Sequence, residues 1–195
     1  MKPLLGQTPS QTVGPFFATA LAAAQYGYPF TSIASPDMAG AALAGQRIQI
    51  EGQVFDGAGV PISDALLEIW QADATGSFAA AASADGGFCG FGRCGTGTRD
   101  AGSYWFETVK PGPVAAGQAP HIAVAVLMRG LLLHVFTRLY FDDEPLANAL
   151  DPVLASVAAD RRATLLAQRT ERGGAVVYRF DIRMQGENET VFFDL

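Results

Sequence analysis

From residue 47 onward, short runs of alternating polar and apolar residues are separated by turns rich in glycine and proline. In the first run, RIQIEGQVFD at 47–56, the alternation has the period of a strand with one buried face. Because no long amphipathic helix alternates with these runs, the pattern favours an all-β fold, an antiparallel β-sandwich, over a parallel α/β sheet. The predicted strands are 47–56, 65–70, 103–109, 122–128, 131–141, 176–184 and 189–193.

The first 46 residues follow a different pattern and form a separate arm, 1–46, in front of the sandwich domain, 47–195. Prolines and glycines keep the first fifteen residues extended, and FFATALAAAQ at 16–25 predicts a short helix. A second short helix is predicted over 160–169, with Asp160 as its N-cap. The aromatic residues of the arm are too apolar to remain in water, so we expect the arm to pack on its own domain or on a partner.

The charge balance excludes several classes of function. Nineteen acidic residues outnumber 13 basic ones, which gives a net charge of −6, and the sequence has no long run of basic residues. Both observations argue against nucleic-acid binding and against binding to an anionic membrane surface. No apolar run is long enough for a signal peptide core or a membrane span, so a cytoplasmic protein is expected. The two histidines and two cysteines exclude a self-contained zinc site of the common types.

Few residues could carry chemistry. The pattern Gly90-x-Gly92-x-x-Gly95 matches a dinucleotide fingerprint formally, but the chain after it predicts a turn and a strand instead of the required helix. His121 would share a strand face with residue 123, which is alanine, so buried or interface histidines are the simpler interpretation. Arg129 lies between two apolar strands; it is either a solvated turn residue or a guanidinium at the mouth of a pocket.

Seven segments of the chain form a recognisable set. They are TPSQTVGPFF at 8–17, GQVFDGAGVPISDALLEIWQAD at 52–73, GFGRCGT at 90–96, TVKPGP at 108–113, PHI at 120–122, TRLYFDDEPLAN at 137–148 and YRFDIRMQGENETVFFD at 178–194. Together they resemble one enzyme family, the intradiol ring-cleavage dioxygenases, and in particular the protocatechuate 3,4-dioxygenases. The resemblance covers nearly the whole chain and is greatest to the family's alpha-type subunits.

The resemblance implies an enzyme that cleaves catechols with O2 at a ferric ion held by two tyrosines and two histidines. This sequence departs from that ligand set. No tyrosine occurs between Trp70 and Ser103, where one ligand is expected, Val114 stands at the second tyrosine, and Ala123 stands at one histidine while His121 is kept. The resemblance therefore implies no catalytic residue and no metal ligand set in this chain, with Fe(III) held by a partner beta subunit.

The alpha-type resemblance implies a different role, which is to complete the substrate pocket of the beta subunit. Residues Thr12, Gly14, Pro15 and Phe16 match the segment that lines this pocket, and Arg129 matches an arginine near the bound substrate. The implied partners are a beta subunit, in a hetero-oligomer of alpha–beta pairs, and the substrates protocatechuate (3,4-dihydroxybenzoate) and O2, with 3-carboxy-cis,cis-muconate as product. The arm, 1–46, is then expected to pack on the partner subunit.

Two other functions remain open on the sequence. A self-sufficient dioxygenase with substituted ligands is disfavoured by Val114 and by the tyrosine-free loop. A purely structural, scaffolding β-sandwich subunit would explain the low charged fraction of 16%, since large buried interfaces are poor in charge.

Overall fold

Nine strands and three short α-helices make up the part of the chain that the computed structural model describes, which is residues 6–14, 16–40, 44–78, 88–100 and 102–194. The strands are β1 (Arg47–Phe55), β2 (Leu66–Trp70), β3 (Phe91–Gly95), β4 (Ser103–Val109), β5 (His121–Leu127), β6 (Val135–Phe141), β7 (Leu166–Arg172), β8 (Ala175–Arg179) and β9 (Ile182–Arg183). The helices are α1 (Phe17–Leu21), α2 (Pro145–Leu150) and α3 (Pro152–Ser156), with 3₁₀ turns at Ala23–Tyr26 and Arg162–Leu165.

The strands form two layers. The hydrogen-bonded order is β3-β2-β5-β6-β7-β8-β1-β4, with β9 beside β1. Neighbouring strands run antiparallel along β3-β2-β5-β6, and so do the pairs β7–β8 and β1–β4. Among the strands that the structure describes, the ladder that joins the two layers has two residue pairs, between β6 and β7, which run parallel. Two further parallel pairings, β8–β1 and β9–β1, make the mostly antiparallel sheet a mixed one.

Alternating burial along the strands builds the core between the layers. In β5, every second residue from Ile122 to Val126 is buried, and β1 has the same period. Side chains from both layers, among them Ile50, Phe106 and Leu139, meet in one cluster, as expected for a sandwich. Each fully buried side chain of this size contributes about 1.5–3 kcal/mol of transfer free energy. The predicted all-β fold with few short helices is confirmed.

The described part of the arm packs on the sandwich of its own chain. The side-chain amide of Gln25 binds the backbone of the edge strand β3. It donates to the carbonyl oxygen of Arg93 (2.9 Å) and accepts from the N–H of Gly95 (3.2 Å). Further along, the N–H of Met38 donates to the carbonyl oxygen of Glu107 on β4 (2.8 Å), and its side chain enters the core. Packing of the arm on a partner subunit stays a prediction.

One predicted helix is wrong. Over 160–169 the chain makes only the 3₁₀ turn Arg162–Leu165 and then enters β7. Good helix formers give way here because β7 pairs with β8 in a hairpin that turns at Gly173 and Gly174, both at positive φ. The helix predicted over 16–25 divides into α1 and a 3₁₀ turn.

Other differences concern strand limits. The predicted strand 131–141 begins only at Val135, 176–184 divides into β8 and β9, and 189–193 makes only an isolated bridge between Phe193 and Phe136. The strand β3 was not predicted from the sequence, and the alanine-rich loop at 79–84 lies outside the described residues. Within the described ranges, no helix has the length and apolar character needed to cross a membrane.

Candidate functional site

The turn between β5 and β6 brings the arm and Arg129 together. Arg129 and Gly130 form the turn, and Gly130 has a φ of 92°, which favours glycine. The N–H of Gly130 donates to Oγ1 of Thr12 at 2.9 Å. Thr12 is the first of the predicted pocket residues, so two of the sequence-predicted segments meet at this turn.

The guanidinium of Arg129 is held at the surface by a carboxylate. Its Nε donates to Oδ2 of Asp64, which lies in the loop before β2, and the Arg129 side chain remains 58% exposed. Sequence reasoning did not single out Asp64, because 65 residues separate the pair. An exposed pair of this kind contributes little to stability, so the arginine can exchange its partner at low cost.

Gly14 and Phe16 lie at the entry to α1. The carbonyl oxygen of Gly14 accepts from the N–H of Phe17 (3.3 Å), and that of Phe16 accepts from Ala20 (3.0 Å). The Phe16 ring is 79% exposed. Pro15, the remaining predicted pocket residue, lies outside the described residues.

Phe16 also lies at the rim of a cavity of about 510 Å³ between α1 and the following loop. Its walls are mostly apolar, and Arg93 on β3 lies at one side. Arg93 is buried and paired with Glu68 on the neighbouring strand β2, with Nε 2.8 Å and a terminal nitrogen 2.6 Å from Oε1. A further guanidinium nitrogen donates to the carbonyl oxygen of Leu21 (3.2 Å), so this arginine fixes α1 to the sheet. The signal for this pair is the register between β2 and β3, which places Glu68 opposite Arg93, and the sequence did not reveal it because no strand was predicted over 91–95.

The two positions that correspond to histidine ligands in the resembled family lie on one face of β5. His121 and Ala123 share this face, and Ala123 lies between Trp70 on β2 and Arg138 on β6. The Nδ1 atom of His121 is 2.9 Å from the carbonyl oxygen of Ala119, and its ring packs 5.7 Å from that of Tyr140. Burial lowers the pKa of His121 below its usual value, so the ring is neutral at physiological pH.

These residues do not fit a ferric ion. One imidazole is present, the methyl group of Ala123 offers no donor atom, and the hydroxyl of the nearby Tyr140 is buried and donates to Oδ1 of Asp151 (3.1 Å). Burial is the main cause that raises the pKa of Tyr140 to about 12, which opposes phenolate formation. In the ranges that the structure covers, no three His, Cys, Asp or Glu side chains stand close enough together to hold a metal ion.

Comparison with known proteins places this geometry in a family. The model of the Dioxygenase family matches residues 14–186. The protocatechuate 3,4-dioxygenase alpha chain of Burkholderia cepacia is 56% identical over 194 residues, which is 98% of either chain. The chain belongs to the intradiol dioxygenase family. Within the family, the alpha chain of Pseudomonas putida is 48% identical over 202 residues, 98% of either chain.

A beta chain of the same family is a more distant relative. The protocatechuate 3,4-dioxygenase beta chain of Burkholderia cepacia is 34% identical over 161 residues, 75% of this chain and 67% of the relative.

Solved dioxygenase structures share the fold. The dioxygenase domain of a carbohydrate-binding fusion protein from Streptomyces sp. SirexAA-E has a TM-score of 0.60 at 23% identity, covering 92% of this chain and 99% of that one. Catechol 1,2-dioxygenase from Pseudomonas arvilla C-1 has a TM-score of 0.56 at 19% identity, covering 86% and 67%.

Proposed function

We propose that this chain is the alpha subunit of a protocatechuate 3,4-dioxygenase and that it completes the substrate pocket of an iron-bearing beta subunit. The enzyme would cleave 3,4-dihydroxybenzoate with O2. Intradiol dioxygenases are iron-dependent, and the iron of this complex is assigned to the partner because this chain offers one imidazole where a ferric site needs a full donor set.

The meeting of Thr12 with the Arg129–Gly130 turn is the observation that carries the proposed role. It joins the segment resembling the pocket lining to the arginine resembling the substrate neighbour, although 118 residues separate them in sequence. Two independent segments of one predicted pocket are thus within hydrogen-bond distance. A scaffold would not require this contact.

Arg129 has the chemistry to bind the carboxylate of a dihydroxybenzoate. A guanidinium offers a planar set of donors that matches a carboxylate, and its charge is independent of pH in the working range. In the single chain, Asp64 occupies this role. We propose that the substrate's carboxylate competes with Asp64 for Arg129 once the beta subunit closes the site and excludes water.

The apolar rim of the 510 Å³ cavity supports an interface in the arm. Large exposed apolar residues gathered in one region mark interaction sites, and they supply the buried core of an interface. Beside Phe16, the exposed large side chains that line this cavity are Leu21, Tyr28, Phe30 and Ile33.

The first test compares the purified chain with the chain co-expressed with its beta-type partner. We expect ring cleavage and bound ferric iron only where the beta subunit is present, with one iron per alpha–beta pair. Stoichiometric iron and ring cleavage in the chain alone would overturn the proposal.

The second test replaces Arg129→Ala and, as a matched control, Asp64→Asn in the complex. Loss of the guanidinium should raise KM for protocatechuate about tenfold or more, since a charged hydrogen bond contributes about 1.5–3 kcal/mol. Loss of the competing carboxylate should leave KM unchanged or lower it. Unchanged KM and kcat in Arg129→Ala would make the chain a scaffolding subunit.

The third test concerns the arm. Phe30→Glu places a charge among the exposed apolar residues and should weaken assembly with the beta subunit, measured by analytical ultracentrifugation. The control is Leu146→Glu, which places the same charge at an exposed leucine of α2, outside the arm. Equal assembly of both variants with the beta subunit would remove the arm from the proposed interface.

A further inference from the structure

A second pocket, of about 450 Å³, lies on the outer face of the layer formed by β8, β1 and β4, and three arginines converge on it. They are Arg99 from the loop after β3, Arg172 from the end of β7 and Arg179 from β8. None of these residues belongs to the Thr12–Arg129 site. The chain carries an excess of six negative charges, so three guanidinium groups around one pocket are a marked local exception.

Strand register explains why the arginines meet. Glu51 at the middle of β1 pairs with Trp105 on β4 and with Arg179 on β8, which places these three side chains in one row across three strands. Arg172 reaches the row from β7 and binds Glu51 with both terminal nitrogens, at 3.1 and 2.7 Å. Glu51 therefore binds Arg172 directly and lies beside Arg179 in the strand register.

Arg99 joins the cluster through its contact with Trp105. Its guanidinium carbon lies 3.7 Å from the centroid of the Trp105 ring, a stacked geometry that holds the guanidinium plane against the indole. Among the described residues, no carboxylate lies within ion-pair distance of Arg99, whereas Arg172 is paired with Glu51 and Arg179 with Asp181 (3.0 Å). A stacked guanidinium keeps its in-plane donors available for an anion.

The charges of the arginines act on Glu51 in this pocket. The hydrogen bond from Arg172 is the main cause that lowers the pKa of Glu51, and the charges of Arg179 and Arg99 lower it further. Arg172 and Arg179 are 67% and 51% exposed, so both can turn their remaining donors toward a ligand. Asp100 also lines the pocket, and its negative charge repels any anion, so binding requires contacts with more than one guanidinium.

We infer that this pocket binds a small polycarboxylate anion, with Arg99 as the principal contact and Arg172 and Arg179 as the flanking ones. A flexible di- or tricarboxylate can meet guanidinium groups on different strands at the same time. A monocarboxylate carries a single charge and makes fewer of these contacts, so its affinity should be much lower.

The test uses citrate as the probe and the complete complex with the beta subunit as the protein. Isothermal titration calorimetry at low ionic strength should detect citrate binding that weakens with added salt, and acetate should bind at least about tenfold more weakly. A second measurement uses the variant Trp70→Phe of this chain, purified alone, in which Trp105 is the remaining tryptophan. Citrate should change the fluorescence of Trp105, and this change should have the same salt dependence.

Variants of the arginines separate this site from general anion binding. Arg99→Gln should weaken citrate binding about tenfold, and Arg99→Lys should restore part of it because the charge returns without the planar fork. Arg183→Gln is the matched control, since Arg183 also lies over an aromatic ring, that of Phe55 at 4.9 Å, outside the pocket. Equal affinity of Arg99→Gln and Arg183→Gln, equal affinity for acetate, or no citrate binding by the complex would each overturn the inference.

Discussion

Oγ1 of Thr12 accepts a hydrogen bond of 2.9 Å from the backbone N–H of Gly130, across 118 residues of sequence. The contact ties the arm, ahead of α1, to the turn that carries Arg129. Gly130 adopts a positive φ, so the direction of its N–H is set by the turn itself. The position of residues 12–14 relative to Arg129 therefore depends on the threonine hydroxyl.

Thr12→Val tests this contact with a side chain of almost the same shape. Loss of one neutral hydrogen bond costs about 0.5–1.5 kcal/mol, so we expect KM of the complex for protocatechuate to rise about two- to tenfold, with a smaller change in kcat. Thr12→Ser keeps the hydroxyl and should restore the KM of the unmodified complex. A KM for Thr12→Val equal to that of Thr12→Ser would show that the arm is positioned by other contacts.

Strand prediction succeeded where one face of the strand is buried and failed where pairing overrides local preference. β1 alternates in sequence as it does in burial, so a period of two identified it, whereas β5 was identified as a short apolar run that ends at a turn. β7 was not identified, because its run from Leu166 to Arg172 has strong helix formers and few buried side chains. β3 was missed because glycine occupies two of its five positions, and glycine is unfavourable in strands. At Gly92 the side chain of Met38 lies where a Cβ would be, which explains a glycine inside this strand.

The candidate site was predicted from resemblance and not from periodicity. Arg129 drew attention as a charge between apolar strands, but its partner Asp64 and its neighbour Thr12 are distant in sequence and give no local signal. The sequence also did not predict the pocket lined by Arg99, Arg172 and Arg179, since each of these arginines lies on a different strand or loop. Side-chain clusters that depend on strand register require the sheet topology to be known first.

Lys110 forms a second charged centre, at the end of β4. Its Nζ lies 3.1 Å from both oxygens of Asp143 and 2.7 Å from Oε1 of Glu144, over the rings of Phe141 and Tyr178. Burial lowers the pKa of Lys110, but the hydrogen bonds to Glu144 and Asp143 outweigh it and raise the pKa overall. The lysine thus remains charged and pairs with two adjacent carboxylates, one of which, Asp143, also pairs with Arg169 (3.5 Å).

Lys110→Met should lower the free energy of unfolding by about 1–3 kcal/mol, because Glu144 loses its cation and Asp143 keeps only the longer ion pair with Arg169 (3.5 Å). Urea denaturation of the purified chain measures this change. In the double variant Lys110→Met, Asp143→Asn, part of the loss should be recovered, since one of the unpaired charges is gone. Strictly additive effects would show that the two residues do not interact.

His121 should titrate below the usual histidine range, because burial is the main cause that lowers its pKa and outweighs the hydrogen bond to Ala119. We expect its NMR titration midpoint below the ordinary value of about 6.5, with the variant His134→Asn used to assign the two histidines. An unfolded chain binds the proton first, so this group makes stability fall as the pH drops from about 6.5 to the lower folded midpoint. His121→Gln should lose that part of the pH dependence, and a midpoint at or above the ordinary value would contradict the assignment.

Asp151 connects α3, β5 and β6 through a fully buried carboxylate. Its Oδ1 caps α3 by accepting from the N–H groups of Val153 (2.9 Å) and Leu154 (2.8 Å). The same oxygen accepts from the hydroxyl of Tyr140 (3.1 Å), and Oδ2 accepts from the N–H of Ala119 (2.9 Å). Because Ala119 also holds His121, this carboxylate helps to fix the residue retained from the family's metal site.

Asp151→Asn turns an amide N–H₂ toward groups that are themselves donors, so at least one buried donor loses its acceptor. We expect a loss of about 2–4 kcal/mol at neutral pH. The control is Asp56→Asn, since Asp56 also accepts two backbone N–H groups, from Ala58 (2.9 Å) and Val60 (2.8 Å), but in an exposed turn where water can replace it. Its loss should be well under half as large.

The pH dependence distinguishes the charge of Asp151 from its shape. Burial raises the pKa of Asp151, but the hydrogen bonds from Leu154, Ala119, Tyr140 and Val153 outweigh it, so the folded pKa lies below the ordinary value. The carboxylate therefore contributes its full stabilisation above the ordinary aspartate pKa of about 3.9 and loses it as the pH falls through the lower folded value. Urea denaturation should show a constant difference between the unmodified chain and Asp151→Asn from about pH 8 to 5, and a smaller difference below about pH 4. A difference that stayed constant into that acid range would mean that packing, and not the charge, makes Asp151 necessary.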